Sequence, residues 1–306
     1  MNAEQAHSPP VADRHAAQWP RETGRRLFRA EKHSPVLWLN LVCLDAPVVA
    51  VAWLALFART CGLPLQIGNG TALFLTAWLI YLGDRLADSA TIEAHGPQSL
   101  RQQFCRRYRR IWIVTVALVA GLDAYVIWRT TALETFVAGA AVGGLALIYL
   151  VLNHPLGLIW RSLPAKEVAI GVLFAAGTLV ALLPGLKNAA IGFPISATFF
   201  AALCALNCIS IARWECGVDR AQGKVSIATR HPRIARASGL IALVLGIAAF
   251  MMATLFHLAA PLFACLSVSA LLLARLNAAP VQVDRRTALA DLVLLTPIIP
   301  LIFMAL

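Results

Sequence analysis

Charge is what this sequence has least of. Only 13% of its 306 residues are Asp, Glu, Lys or Arg, against about 25% in a soluble globular domain. Acidic residues are the scarcer kind, 15 against 26 basic. With 59% apolar residues and a mean hydropathy of +0.73, this shortage excludes a soluble enzyme and a disordered tail protein. Cysteine is sparse as well. None of the seven forms a Cys-x-x-Cys pair, and none stands at zinc-ligand spacing from a His, which argues against a zinc site and against a secreted disulfide scaffold. Residues 1–35 lack the apolar run of a signal peptide and carry Pro9, Pro10 and Pro20. They read as a polar arm, partly disordered, that ends in a short surface helix near Arg21–Glu31.

Long apolar runs are what the chain has instead. Crossing a bilayer takes about 20 apolar residues, and nine stretches qualify: 36–58, 69–86, 111–129, 133–152, 167–184, 190–211, 237–256, 258–276 and 288–305. Backbone groups in lipid must be satisfied within the span, so the expected fold is all-α: one nine-helix membrane domain over 36–306. With the arm in the cytoplasm, 23 Lys and Arg fall on that side and three (Arg59, Arg129 and Lys187) on the other. This is the positive-inside pattern of a multi-pass protein. The net charge of +11 then faces anionic headgroups, and nucleic acid is not needed as a partner.

Two cytoplasmic loops, 84–110 and 212–236, are longer than the rest, and each opens on a pair of acids. Asp84 and Asp88 stand four apart, as do Glu215 and Asp219. That spacing puts each pair on one helix face with Cβ atoms about 6 Å apart. Buried like charges need a cation, and carboxylate oxygens suit Mg²⁺, which binds through one or two carboxylates plus substrate phosphates. The plainer alternative is two ordinary helix ends, each acid bonded to a neighbouring Arg. Three more acids fall inside apolar runs: Asp45, Asp123 and Asp291. Intramembrane acids are costly and mark function by default. Asp45 follows Asn40 in the first span, and Asp291 is placed near the cytoplasmic start of the last. Asp123 reads as structural. Asn207 lies two turns before Glu215, where helix–helix packing would also explain it. Phe174, Phe199 and Phe200 are candidates for an apolar lining.

These residues resemble the UbiA superfamily of intramembrane prenyltransferases, in which nine helices carry two aspartate-rich motifs after the second and sixth. The first family motif is Asn-x-x-x-Asp-x-x-x-Asp. Asp84 and Asp88 match its aspartates, and Ile80 replaces the Asn. The second is Asp-x-x-x-Asp with a Gly four residues on and Thr or Ser three later. Glu215 replaces its first Asp, while Asp219, Gly223 and Ser226 fall in register. The family's Tyr-x-x-x-Lys-Arg run is incomplete, since Tyr149 is followed by Asn153 and His154. The departures mark a divergent branch. The resemblance implies a Mg²⁺-dependent transfer of a prenyl group from a prenyl diphosphate to an aromatic or other lipophilic acceptor, in a membrane such as the bacterial inner membrane. It implies metal ligation by Asp84, Asp88, Glu215 and Asp219. Phosphate contacts fall to Arg85, Lys166, Arg220, Lys224 and Arg161, and acceptor contacts to Asn40, Asp45, Asn207 and Asp291. A terpene cyclase of the same superfamily is the enzymatic alternative, and a transporter or lipid-binding scaffold the non-catalytic one. A CDP-alcohol phosphotransferase is disfavoured because its Asp-Gly-x-x-Ala-Arg signature is absent.

Overall fold

Thirteen α-helices carry the described residues of the computed structural model, which are 35–91, 98–153, 166–188 and 192–305, and no strand occurs among them. In chain order they are α1 (Pro35–Leu41), α2 (Asp45–Thr60), α3 (Ile67–Thr91), α4 (Leu100–Arg107), α5 (Arg109–Thr130), α6 (Leu133–Asn153), α7 (Lys166–Leu179), α8 (Gly192–Ala221), α9 (Ile227–Arg230), α10 (Pro232–Leu255), α11 (Ala260–Ala278), α12 (Val283–Leu292) and α13 (Ile298–Ala305). The arm expected over residues 1–35 lies outside the described residues except for its last position.

Every one of the nine apolar stretches is helical over most of its length, but five of the helical segments are individually long and apolar enough to cross a membrane: Arg109–Thr130, Lys166–Gly185, Gly192–Ala221, Pro232–Leu255 and His257–Ala278. Of the other four, the fourth forms the shorter apolar helix Leu133–Tyr149, and three differ in outline from the expected spans. The first stretch is broken between α1 and α2, which meet at 94°. Cys43 sits in the break with a φ of +57°, and the Trp78 indole N–H donates to the Val42 carbonyl at 3.0 Å, holding the turn. The second stretch is longer than expected, a 25-residue helix that runs past Leu86 and so carries both aspartates inside it. The last stretch breaks after Leu292, before Pro297 and Pro300.

The outward faces need lipid. Ile111, Leu118, Leu122 and Trp128 on α5, and Leu240, Val244, Ile247 and Phe250 on α10, are all exposed. Apolar belts of that extent are not left to water. Inside, Trp53 and Phe57 of α2 pack on Phe200 of α8, with Trp53 and Phe200 stacked at 4.7 Å between ring centroids. Phe199 meets Phe263 edge-on. Two of the three candidate lining phenylalanines are therefore core. Where α7 crosses α8 the backbones nearly touch: a Cβ on Gly171 would come within 2.4 Å of the Ala205 nitrogen. Small residues allow such approaches between membrane helices. This crossing fixes the two helices that carry Lys166 and Glu215.

Candidate functional site

A cavity of about 520 Å³ opens within the helices, inside the 300–1,000 Å³ range of small-molecule sites. One face of α3 lines it from Asn69 through Thr76, Ile80, Tyr81 and Asp84 to Asp88. The nineteen steps from Asn69 to Asp88 at 1.5 Å each give about 28 Å, close to the thickness of a bilayer's hydrocarbon core. Phe174 of α7 belongs to the lining. The cavity is mostly apolar along its length and strongly charged at one end.

That end gathers both acidic pairs. Asp84, Asp88, Glu215 and Asp219 all line it, together with Arg85, Arg101, Lys166 and Lys224. The Lys224 ammonium pairs with Asp88 at 3.0 Å, and the Arg101 guanidinium pairs with Glu215. A third tie crosses the same gap, where the side-chain amides of Gln102 and Gln222 bond reciprocally at 3.0 and 3.4 Å. The segments that follow the second and sixth apolar stretches, distant in sequence, thus meet through three polar contacts, two of them made by α4.

Local backbone chemistry explains the aim of each cation. Gly223 ends α8 with a φ of +64°, the left-handed state that suits glycine. The Gly223 N–H then bonds the Arg220 carbonyl at 3.1 Å and the Lys224 N–H the Asp219 carbonyl at 2.8 Å, a Schellman turn. The turn folds Lys224 back over the helix end towards Asp88. Arg101 is set by α4, whose N-terminus is closed by a capping box between Ser99 and Gln102. Lys166 is the first residue of α7, and its neighbour Glu167 is buried, accepting the Ile227 N–H at 2.9 Å. Asp284 accepts the Leu100 N–H at 3.3 Å from the outer side. Burial there pushes its carboxyl above the ordinary carboxylate range, opposed by the Leu100 bond and the nearby Arg101.

The four expected acceptor residues form two bonded pairs, Asn40 with Asp45 and Asn207 with Asp291. The Asn40 amide donates to Asp45 Oδ2 at 2.6 Å, and Asp45 Oδ1 takes the Ala46 N–H at 2.9 Å. The Asp45 carboxyl lies near that of Asp291, and the Asn207 amide donates to Asp291 Oδ1 at 2.9 Å. Asn207 and Asp291 line the cavity, and Asp45 and Asn40 join them from α2 and α1. The breaks in the first and last stretches make this possible, because each frees a helix end at the depth of the pair.

Several expectations are corrected. Arg220 is exposed and lies off the cavity. It follows Asp219 by one residue, a 100° turn of the helix away from the shared acidic face. Asp291 lies near the C-terminal end of α12, not at a helix start, because α12 begins at Val283. Asp123, read as structural, ties α5 to α3. It is buried, lines the far end of the cavity and accepts the Thr76 hydroxyl at 2.8 Å. Arg161 and His154 lie outside the described residues. Ile80 lines the cavity one turn before Asp84, so hydrocarbon stands where the family motif has an amide. Sequence reasoning missed Arg101, Glu167 and Gln102. A usable signal for α4 was there, since Ser99 followed by Gln three residues on opens an amphipathic octet.

Among the described residues no three His, Cys, Asp or Glu side chains converge as a ready-made metal site. The donor set nevertheless fits Mg²⁺ in its usual manner, one or two carboxylates per ion with phosphate oxygens completing the shell. With Glu167 beside Lys166, five carboxylates face four cations at the polar end, a formal charge of −1, so a bare diphosphate would be repelled and a divalent cation carried with it offsets that charge. No protein-family model matches the chain, and neither does any curated protein.

Proposed function

We propose that the protein is a divergent, Mg²⁺-dependent intramembrane prenyltransferase with nine membrane crossings and its acidic end on the cytoplasmic side. One observation carries this reading: a mostly apolar cavity, about as long as a bilayer core, ends in two facing acid pairs interleaved with four cations. A polyprenyl diphosphate has that polarity, a greasy tail joined to a concentrated polyanion.

The chemistry follows from the residues. The allylic carbon–oxygen bond breaks and its electron pair leaves on diphosphate. Arg85, Arg101, Lys166 and Lys224 stabilise the charge that grows there, the guanidinium groups through paired N–H donors and the lysines as point charges. For this, Lys224 and Arg101 exchange Asp88 and Glu215 for phosphate oxygens. Asp84, Asp88, Glu215 and Asp219 would hold Mg²⁺, which when bound supplies Lewis acidity to the departing diphosphate. The apolar walls keep water from the allylic cation. A lipophilic acceptor supplies the electron pair of the new bond and loses a proton.

A second reading, a transporter, draws on a separate observation. Broken helices beside buried ionisable groups are typical of transporter sites, and the first and last stretches both break at Asp45 and Asp291.

Purified protein in lipid nanodiscs, incubated with geranylgeranyl diphosphate and Mg²⁺, separates the readings. Diphosphate release that needs an added aromatic acceptor supports transfer. Release without acceptor, with a hydrocarbon product, supports the cyclase. No release and no binding supports the transporter.

A further inference from the structure

The large cavity carries a second polar group, well away from the acid pairs. Asp123 of α5 is 5% exposed and Thr178 of α7 is 1% exposed, and both line the cavity. Thr76 of α3 donates its hydroxyl to Asp123 Oδ2 at 2.8 Å. Helix rise puts the three at one depth. Thr76 lies twelve residues before Asp88 on α3, and Thr178 twelve residues after Lys166 on α7. At 1.5 Å per residue both stand about 18 Å from the polar end. The Tyr81 and Phe174 rings meet at 6.5 Å between the same two helices, which holds them in that register.

This group has acceptors that the protein does not use. Asp123 Oδ1 and Thr178 Oγ1 are buried with no hydrogen-bond partner, and so are Asn69 Oδ1 and Thr131 Oγ1 farther along the same cavity. A buried carboxylate needs a cation, and Asp123 has none among the described residues. Its one bonded partner is Thr76. Arg129, the nearest basic residue along α5, is exposed and lies off the cavity. The cations that do line the cavity gather at its other end. The wall around Asp123 is otherwise apolar: Ile127 follows it by one turn, Leu73 precedes Thr76 by three residues, and Val142 packs on Gly177 beside Thr178. A hydrocarbon chain lying here would leave every one of these oxygens desolvated and unpaired.

We propose that Asp123 and Thr178 form a binding site for the ammonium group of a lipophilic amine, separate from the diphosphate end of the cavity. The ammonium donates to Asp123 Oδ1 and to Thr178 Oγ1. Thr76 holds the other carboxylate oxygen and so fixes the plane of the carboxyl group. Leu73, Ile127 and Val142 take the apolar body of the ligand. Charge selects the ligand class. An alcohol supplies a donor but leaves the carboxylate without a cation, and a hydrocarbon supplies neither. Acids inside a membrane bundle are costly and mark ligand or ion sites by default; here the unused oxygens beside the acid specify a donor that is also a cation. The inference stands apart from the prenyltransferase reading, because no step of that chemistry uses Asp123 or Thr178.

The test needs no prenyl donor. Binding of 2-naphthylmethylamine and of 2-ethylnaphthalene is measured by fluorescence on the full protein in nanodiscs of zwitterionic lipid, with empty nanodiscs as the partition control. The two probes share a ring system and a shape, and differ in an ammonium against a methyl group. The wild type is expected to favour the amine by about tenfold or more, the equivalent of one hydrogen bond to a charged group. Asp123→Asn keeps the size of the side chain and removes its charge, and is expected to bring the ratio below about threefold. Thr178→Val leaves Asp123 and Thr76 in place, removes the second acceptor, and is expected to lower the ratio by about threefold. The Asp84→Asn/Asp219→Asn double variant is expected to keep the wild-type ratio. Equal binding of the two probes by the wild type overturns the proposal, as does an unchanged ratio in either Asp123→Asn or Thr178→Val. Loss of the preference in the polar-end double variant overturns it too, since the amine would then sit among the acid pairs. The outcome is independent of diphosphate release: a protein that prefers the amine through Asp123 yet neither binds nor releases diphosphate keeps the amine site and loses the transferase reading.

Discussion

Removing Arg101 should uncouple stability from activity in a way that only the observed geometry explains. The Arg101 and Glu215 side chains are 9% and 16% exposed, so neither charge has water to fall back on. Breaking such a pair from one side typically costs about 3–5 kcal/mol, because the surviving charge is left buried and alone. Here Arg85 also lies close enough to act on Glu215, which favours the lower end, about 3 kcal/mol, for Arg101→Met. Replacing both partners by apolar residues of similar size is often neutral, so Arg101→Met with Glu215→Leu should return to within about 1 kcal/mol of the wild type. The coupling between the two sites should be at least about 2 kcal/mol. Equilibrium unfolding in mixed micelles, followed by the fluorescence of the eight tryptophans, measures all four corners of the cycle. The double variant is expected to be stable and inactive, since Glu215 and Arg101 are both assigned to the site. A single variant that costs less than about 1 kcal/mol, or a double variant no more stable than the singles, refutes the pairing.

Three further outcomes follow from the same geometry. Gly223→Ala forces a Cβ into a left-handed conformation with no steric contact within 4 Å, so it should cost about 1–2 kcal/mol of backbone strain and lower turnover by misplacing Lys224; an unchanged rate would detach Lys224 from catalysis. Asp284 holds its proton more tightly folded than unfolded, so its contribution to stability is present below the ordinary carboxylate range near pH 4 and is lost as pH rises through its raised value. Asp284→Asn should therefore stabilise the protein at pH 8 and change little at pH 3.5, and a gain at low pH alone would reverse the sign. Gly171→Leu should destabilise the bundle by several kcal/mol through overpacking against Ala205, whereas tolerance would mean that α7 and α8 separate easily.

The sequence made the helical class and the acidic constellation readable because both rest on periodicity. Four-residue spacing put Asp84 with Asp88 and Glu215 with Asp219, and the structure has all four lining one cavity. Breaks were harder. Pro297 and Pro300 flag the last one, but nothing between Leu41 and Asp45 marks a 94° bend, because Cys43 is a residue of no special backbone preference. Arg220 failed for the opposite reason, since adjacency in sequence is not adjacency on a helix. Arg101 was hidden among the arginines of a basic loop, and only the capped helix α4 separates it from the solvent-facing ones. Asp45 and Asp291 were singled out as intramembrane acids, yet their proximity depends on two helix ends that composition does not reveal.

The central claim is that the two acid pairs hold a metal–diphosphate unit. It is tested most directly by binding of a non-ionisable thiolodiphosphate analogue of geranylgeranyl diphosphate to the protein in nanodiscs, with Mg²⁺ and with EDTA. The charge balance of the polar end predicts binding at least about tenfold tighter with Mg²⁺, and loss of that difference in the Asp84→Asn/Asp219→Asn double variant. Equal affinity with and without the metal, or an unchanged metal effect in the variant, would contradict it.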